Sequence, residues 1–251
     1  MASSDQSIVL ITGANGGIGF ELAAQLLADA SKFVLLGSRS LEKGEAAVKQ
    51  LKSKGLPGKV EVLQIDVNSE DSITKAAKEV EEKYARLDAL VNNAAITCEP
   101  PTSASLSTRL SAAFLTNTTG PAVVVETFAP LLEKSTAKTP RIINVTSGAG
   151  SISLRLGTTN PHQKMKMVPY RVSKAALNML TACQAYEYGE KGWKVFCFCP
   201  GFTESGIGPM NKVEYGAKPT SEGAAPMVEI LKGERDAEHG GFLKAGGVWP
   251  W

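Results

Sequence analysis

Tyr170 and Lys174 stand four residues apart in Tyr-Arg-Val-Ser-Lys. A helix of 3.6 residues per turn stacks such a pair on one face, which sets an ammonium beside a phenol. A nearby cation favours the phenolate, so Lys174 is expected to pull the phenol below its ordinary value near 10. The pair is therefore a candidate general acid or base. Pro169, immediately before Tyr170, suits the first turn of the helix that must carry both groups.

The rest of the chain reads as a scaffold that brings other groups to this pair. Residues 8–12 form a short β-branched apolar run that enters Gly13-Ala-Asn-Gly-Gly17-Ile-Gly19, followed by a helical pattern at Ile18, Leu22 and Leu26. Strand, glycine turn and helix in that order make a phosphate cradle. Glycines permit a tight turn and close approach, and free N–H groups at a helix start attract anionic charge. A second strand at 33–36 ends in Gly37-Ser38-Arg39-Ser40. Arg39 lies about 20 positions past the turn, where dinucleotide folds read the adenosine ribose. An acidic residue there would hold the hydroxyls, whereas a planar guanidinium suits a 2′-phosphate, so NADP(H) is expected over NAD(H).

Further strands are expected at 60–65, 89–92, 141–146, 194–199 and 241–244. Helices are expected at 41–54, around Ile73 to Tyr84 with Asn68 or Ser69 as cap, at 106–132 with a bend at Pro121, from Pro169 onward, and at 221–232. Residues between Ser147 and Tyr170 have no period and read as a loop. Strands alternating with helices predict a single α/β domain over 1–251: a doubly wound Rossmann-type fold, its seven-stranded parallel sheet flanked by helices on both faces. Cofactor binding would fall mainly in 7–120, and catalysis and substrate binding mainly in 117–251. Ligands of such sheets sit at the carboxyl ends of the strands. The glycine turn, Arg39, Asp66, Asn93, Ser147 and Pro200 all follow strands.

Composition narrows the partners. With 27 Lys and Arg against 25 Asp and Glu, no basic footprint for nucleic acid or anionic membrane is present. No apolar run reaches membrane-spanning length and no signal peptide opens the chain, so a soluble, cytoplasmic protein is expected. Cys98, Cys183, Cys197 and Cys199 lack Cys-x-x-Cys spacing and read as buried free thiols of a reducing compartment. No metal is expected.

Taken in order, Thr12-Gly-Ala-Asn-Gly-Gly-Ile-Gly19, Asp66-Val67, Asn92-Asn-Ala-Ala95, Asn117, Ser147, Tyr170-x-x-x-Lys174 and Pro200-Gly201 resemble the short-chain dehydrogenase/reductase family across nearly the whole chain. The resemblance implies a catalytic tetrad of Asn117, Ser147, Tyr170 and Lys174. It also implies a cofactor site: Gly13, Asn15, Gly17, Ile18 and Gly19 at the pyrophosphate, Ser38 and Arg39 at the ribose phosphate, Asp66 and Val67 at adenine. Asn93, Ala94 and Ala95 would run along the adenosine side, Tyr170 and Lys174 would reach the nicotinamide ribose, and Pro200, Gly201 and either Thr203 or Ser205 would hold the nicotinamide. Ala95 replaces the family's usual glycine.

The long interval before Tyr170 and the stretch from Gly241 to Trp251 are similar to the NADPH-dependent carbonyl reductases. Some of these are monomers, so the resemblance allows a monomer or a homo-oligomer. It implies hydride transfer to a small carbonyl substrate or from an alcohol, with Tyr170 as acid, Ser147 as hydrogen-bond donor and Asn117 positioning a proton-relaying water. Leu154, Leu156, Met165, Met167, Phe202, Ile207, Met210 and Tyr215 are candidates for an apolar substrate wall, Leu154, Phe202 and Met210 foremost. His162 reads as a solvated loop residue. A non-redox reaction such as dehydration or cyclisation, or an NADP(H)-sensing role, would use the same fold.

Overall fold

The computed structural model of the protein describes residues 6–97, 103–157 and 166–251. Seven strands run parallel: β1 (Ser7–Ile11), β2 (Lys32–Ser38), β3 (Lys59–Gln64), β4 (Ala89–Asn92), β5 (Arg141–Val145), β6 (Lys194–Phe198) and β7 (Phe242–Lys244). An eighth, β8 (Gly247–Val248), is antiparallel to β7, and the order is β3-β2-β1-β4-β5-β6-β7-β8. The expected parallel sheet is thus extended by one short edge strand. The reversal passes through Ala245-Gly246, where Gly246 takes φ 64, a left-handed conformation that glycine adopts without strain.

Among the described residues eight α-helices cover the sheet: α1 (Gly17–Leu26), α2 (Leu41–Lys52), α3 (Glu70–Tyr84), α4 (Leu106–Phe114), α5 (Gly120–Glu133), α6 (Ile152–Leu156), α7 (Val168–Gly189) and α8 (Thr220–Lys232). The strand interiors Ile8–Ile11, Phe33–Leu36 and Val195–Phe198 are apolar without alternation because both faces are covered. Val9, Ile11, Val34, Leu36, Val91, Ile143, Phe196 and Phe198 point into one core layer with α1, α2 and α8. Their neighbours Ile8, Leu10, Phe33, Leu35, Leu90, Ile142 and Val195 point into the other, under α3, α5 and α7. At the far edge Asp88, 2% exposed, holds the strand entrances together. Its carboxylate accepts from Ile8 N at 2.8 Å, Ser135 Oγ at 2.6 Å and Thr136 N at 3.1 Å.

Four local outcomes differ from or refine the sequence reading. The helix expected at 106–132 is interrupted by a π-helical turn at Leu115–Thr119, and α5 restarts with Pro121 in its first turn. Pro121 has no N–H to give to the carbonyl four residues back, that of Asn117. The interval after Ser147 holds a 3-10 turn (Gly148–Gly150) and the short α6, started by Ser151, whose hydroxyl accepts from Leu154 N at 3.0 Å. Ser69, not Asn68, caps α3. Cys197 and Cys199 are buried as expected, but Cys183 is exposed because α7 turns that position outward. Cys98, His162 and Met165 lie outside the described residues. No helix among the described residues is long and apolar enough to cross a membrane.

Candidate active site and cofactor cleft

The strand order reverses between β1 and β4, so their carboxyl ends splay apart and leave a crevice. A cleft of about 480 Å³ occupies it. Gly13, Asn15, Gly16, Gly17 and Ile18 line its middle. Gly13 has φ 63, and a Cβ there would lie 2.9 Å from Ala94 Cα, so no other residue lets β1 turn this close to the β4 loop. Gly17, at φ 56, opens α1, whose first turn has neither a side-chain cap nor an acidic residue. The helices beginning at Leu41 and Glu70 have serine caps; this one leaves its N–H groups and positive dipole end for an anion in the cleft.

Gly19 belongs to the wall behind the cradle, and Asn93, which it packs against, lines the cleft itself. Asn93 Nδ2 donates to the carbonyls of Thr12 at 2.9 Å and Gly13 at 3.1 Å, and a Cβ on Gly19 would meet that nitrogen at 2.5 Å. Thr12 Oγ1 accepts from Asn93 N at 3.0 Å and Ala94 N at 3.1 Å. Thr12 is absent from the cleft surface, yet its hydroxyl, at the end of the first strand, ties both loops together.

At one end the cleft is bordered by Ser38, Arg39, Asp66 and Val67, with Ala94 and Ala95 along its side. Ser38 is buried and donates to Ser40 O at 2.8 Å, shaping the turn that leaves Arg39 exposed. Lys43 also lines this end and was missed in the sequence. Arg39 precedes the Ser40 cap and Lys43 lies in the first turn of α2, so no single-element spacing in the sequence joins the two. Two cations and an uncapped helix start fit a dinucleotide carrying an extra phosphate.

At the other end stand Ser147, Tyr170 and Lys174. The helix α7 delivers the pair as its spacing predicts: Lys174 Nζ is 5.9 Å from the Tyr170 ring centroid and donates to Val145 O at 2.8 Å. Their electrostatics differ from the expectation. Burial pushes the Tyr170 phenol up to about 12, against a hydrogen bond with Ser147 that lowers it, and Cys199 adds a further upward push. Part of the ring borders the open cleft, so desolvation acts in full once a ligand fills it. Lys174, 1% exposed, is itself pushed down to about 8 by burial. The ammonium is committed to a backbone carbonyl and shares the phenol's dry surroundings, so desolvation outweighs the cation.

Asn117 is fully buried behind this pair rather than in the cleft. Its amide accepts from Ile96 N at 2.9 Å and donates to Ile96 O at 2.9 Å and Ser173 Oγ at 3.0 Å. It therefore fastens the β4 loop to α7 between Tyr170 and Lys174. Cys199 Sγ accepts from Gly148 N at 3.1 Å, joining the Ser147 turn to the Pro200-Gly201 turn.

Pro200, Gly201, Thr203 and Ser205 line the cleft beside Ser147 and Tyr170. Thr203, 1% exposed, donates its hydroxyl to Pro200 O at 2.9 Å, whereas Ser205 faces the cradle across the cleft, 3.3 Å from where a Cβ on Gly17 would lie. Of the apolar candidates, Ile207 reaches the cleft, held there by Thr97 Oγ1, which donates to Ile207 O at 2.6 Å. Leu154, Phe202 and Met210 do not line it: Leu154 lies on α6 against Gly148, and Met210 is 49% exposed on a turn. Thr97 and Asn211 complete the rim.

The short chain dehydrogenase family model matches residues 7–213. The chain is 40% identical over 230 residues to the short-chain dehydrogenase anuI of Penicillium roqueforti, covering 91% of this chain and 89% of that protein. It is 32% identical over 276 residues to the short-chain dehydrogenase/reductase eupG of a Phoma species, covering 100% and 99%. Among solved structures, an NADPH-bound carbonyl reductase from chicken fatty liver superposes with TM-score 0.82 at 29% identity, covering 98% of this chain and 99% of that one. The chain belongs to the short-chain dehydrogenase/reductase family of oxidoreductases.

Proposed function

We propose that this enzyme is an NADPH-dependent reductase of an apolar ketone or aldehyde, able to run in reverse as an alcohol dehydrogenase. The observation that carries the reading is one cleft with two cations, Arg39 and Lys43, at one end and a Ser147-bonded phenol at the other. The cradle of Gly13 and Gly17 takes the pyrophosphate, Arg39 and Lys43 take the 2′-phosphate, and Ser205 and the Thr203 backbone border the nicotinamide. When bound, the nicotinamide supplies the hydride. Tyr170, held near 12, keeps its proton at neutral pH and gives it to the substrate oxygen as that becomes an alkoxide, a far stronger base than a phenolate. Ser147 donates to the same oxygen, a preorganised donor aimed where charge develops. Lys174 stabilises the phenolate left behind and returns a proton to it. Asn117 acts as a positioning residue that fastens the β4 loop to α7, and a water it positions would relay protons to Lys174. Ile96 and Ile207 on the lining favour an apolar substrate. The test is consumption of NADPH, with NADH alongside, over apolar ketones, aldehydes and quinones. Wild-type turnover should fall at least about 100-fold in Tyr170→Phe. Undiminished turnover in that variant would sink the assignment.

A further inference from the structure

We propose that Trp249 is a positioning residue for Ser147: its indole, anchored by the β7–β8 hairpin, wedges into the space facing Gly148 beside Leu154 and Cys199, and with the two residues that follow fixes the turn that presents the serine hydroxyl to Tyr170. For its turnover readout this rests on the reductase reading. Gly148 has no side chain, and a Cβ there would lie 3.7 Å from Trp249 Nε1 and 3.9 Å from Cys199 Sγ. The edge of the indole therefore faces the residue next to Ser147 with space for one methyl group between them, and Leu154 Cδ1, 3.6 Å from that same position, shares the space.

The wedge is itself fixed from three sides. Trp249 N donates to Phe242 O at 2.7 Å, the Lys244 ammonium lies 3.9 Å over the indole, and the ring packs on Cys197, Cys199 and Phe242. The two residues that follow grip the serine turn's other flank. Ser151 Oγ donates to Pro250 O at 2.7 Å, Ser153 N donates to Trp251 O at 2.9 Å, and the Trp251 ring stacks on Phe242 at 5.3 Å. The segment Trp249-Pro250-Trp251 thus clamps residues 148–153 to the end of the sheet.

Trp249 Nε1 is buried and has no hydrogen-bond partner among the described residues. An unpaired buried donor is a cost to folding, so the indole holds this place by its shape and not by its N–H. Phenylalanine should then replace it and alanine should not.

The test compares Trp249→Phe and Trp249→Ala, with Leu51→Ala as a control cavity in the opposite core layer. NADPH affinity is read by fluorescence, carbonyl turnover by kinetics, and the 148–154 backbone by amide hydrogen exchange. Trp249→Ala should speed exchange there and lower turnover about 10- to 100-fold, the scale of a small misplacement of a catalytic group. NADPH affinity should stay within about twofold, as the contacts of the cradle are untouched. Trp249→Phe should restore exchange and turnover, and Leu51→Ala should change neither. If Trp249→Ala does not fold, Trp249→Leu, which lacks the flat ring, carries the same expectation. Unchanged exchange at 148–154, faster exchange with undiminished turnover, or equal loss in the phenylalanine variant would each overturn the proposal. Should the wild type reduce no carbonyl, the reductase reading fails, and the exchange data still decide whether Trp249 clamps the serine turn.

Discussion

Lys174→Met separates what the active site needs from what the fold prefers. The ammonium is 1% exposed and pushed from 10.5 down to about 8 by burial. That displacement corresponds to about 3 kcal/mol against folding whenever both states are protonated. Below about pH 8 the folded and unfolded chains both carry the proton and the cost is present in full. Between about 8 and 10.5 the unfolded chain binds it and the folded chain does not, so this group's contribution to stability rises with pH. Cys197 acts in the opposite sense from pH 9 upward, because burial pushes its thiol to about 12 and the folded chain then retains the proton. The wild-type curve therefore mixes both, and the difference between wild type and variant reads the lysine together with its coupling to that thiol. Methionine keeps the apolar stem but leaves Val145 O without its donor at 2.8 Å, a loss of about 1 to 3 kcal/mol that does not vary with pH. Urea unfolding of the cofactor-free protein, followed by tryptophan fluorescence at pH 7 to 10, measures the gap. Near pH 7 the variant should be as stable as wild type or more so, although inactive. By pH 10 wild type should have gained about 2 to 3 kcal/mol on it. Parallel curves across that range would refute a depressed, buried ammonium.

The other predictions concern the cradle, the cations and the scaffold. Arg39→Ala and Lys43→Ala should each weaken NADPH by about 10-fold and leave NADH nearly unchanged, read as kcat/KM with both cofactors. Gly19→Ala should weaken both cofactors alike, because a Cβ 2.5 Å from Asn93 Nδ2 displaces the amide that holds the turn; paired binding isotherms would reveal it. Asp88→Ala should lower stability by about 3 kcal/mol or more in urea unfolding without changing NADPH affinity, since it strands the donors of Ile8, Ser135 and Thr136 far from the cleft.

The sequence by itself determined the alternation of elements and the edge on which chemistry gathers. Apolar runs punctuated by glycine, and helical periods between them, are local signals, and the Tyr170 and Lys174 geometry needs nothing beyond the pitch of one helix. The glycine turn and Arg39 were legible for the same reason: each sits at a fixed offset from its strand. Lys43 went unread because its place at the cleft depends on how α2 is set against β2. Leu154 and Met210 misled because an apolar side chain in a loop has no period to tell its direction. The tertiary structure alone decided the protonation of the site. Tyr170 rises and does not fall because desolvation by residues distant in sequence outweighs one neighbouring cation, itself tied to Val145. Likewise Trp249 and Gly148 are far apart in the chain, and only folding could bring the end of the sheet to face the Ser147 turn.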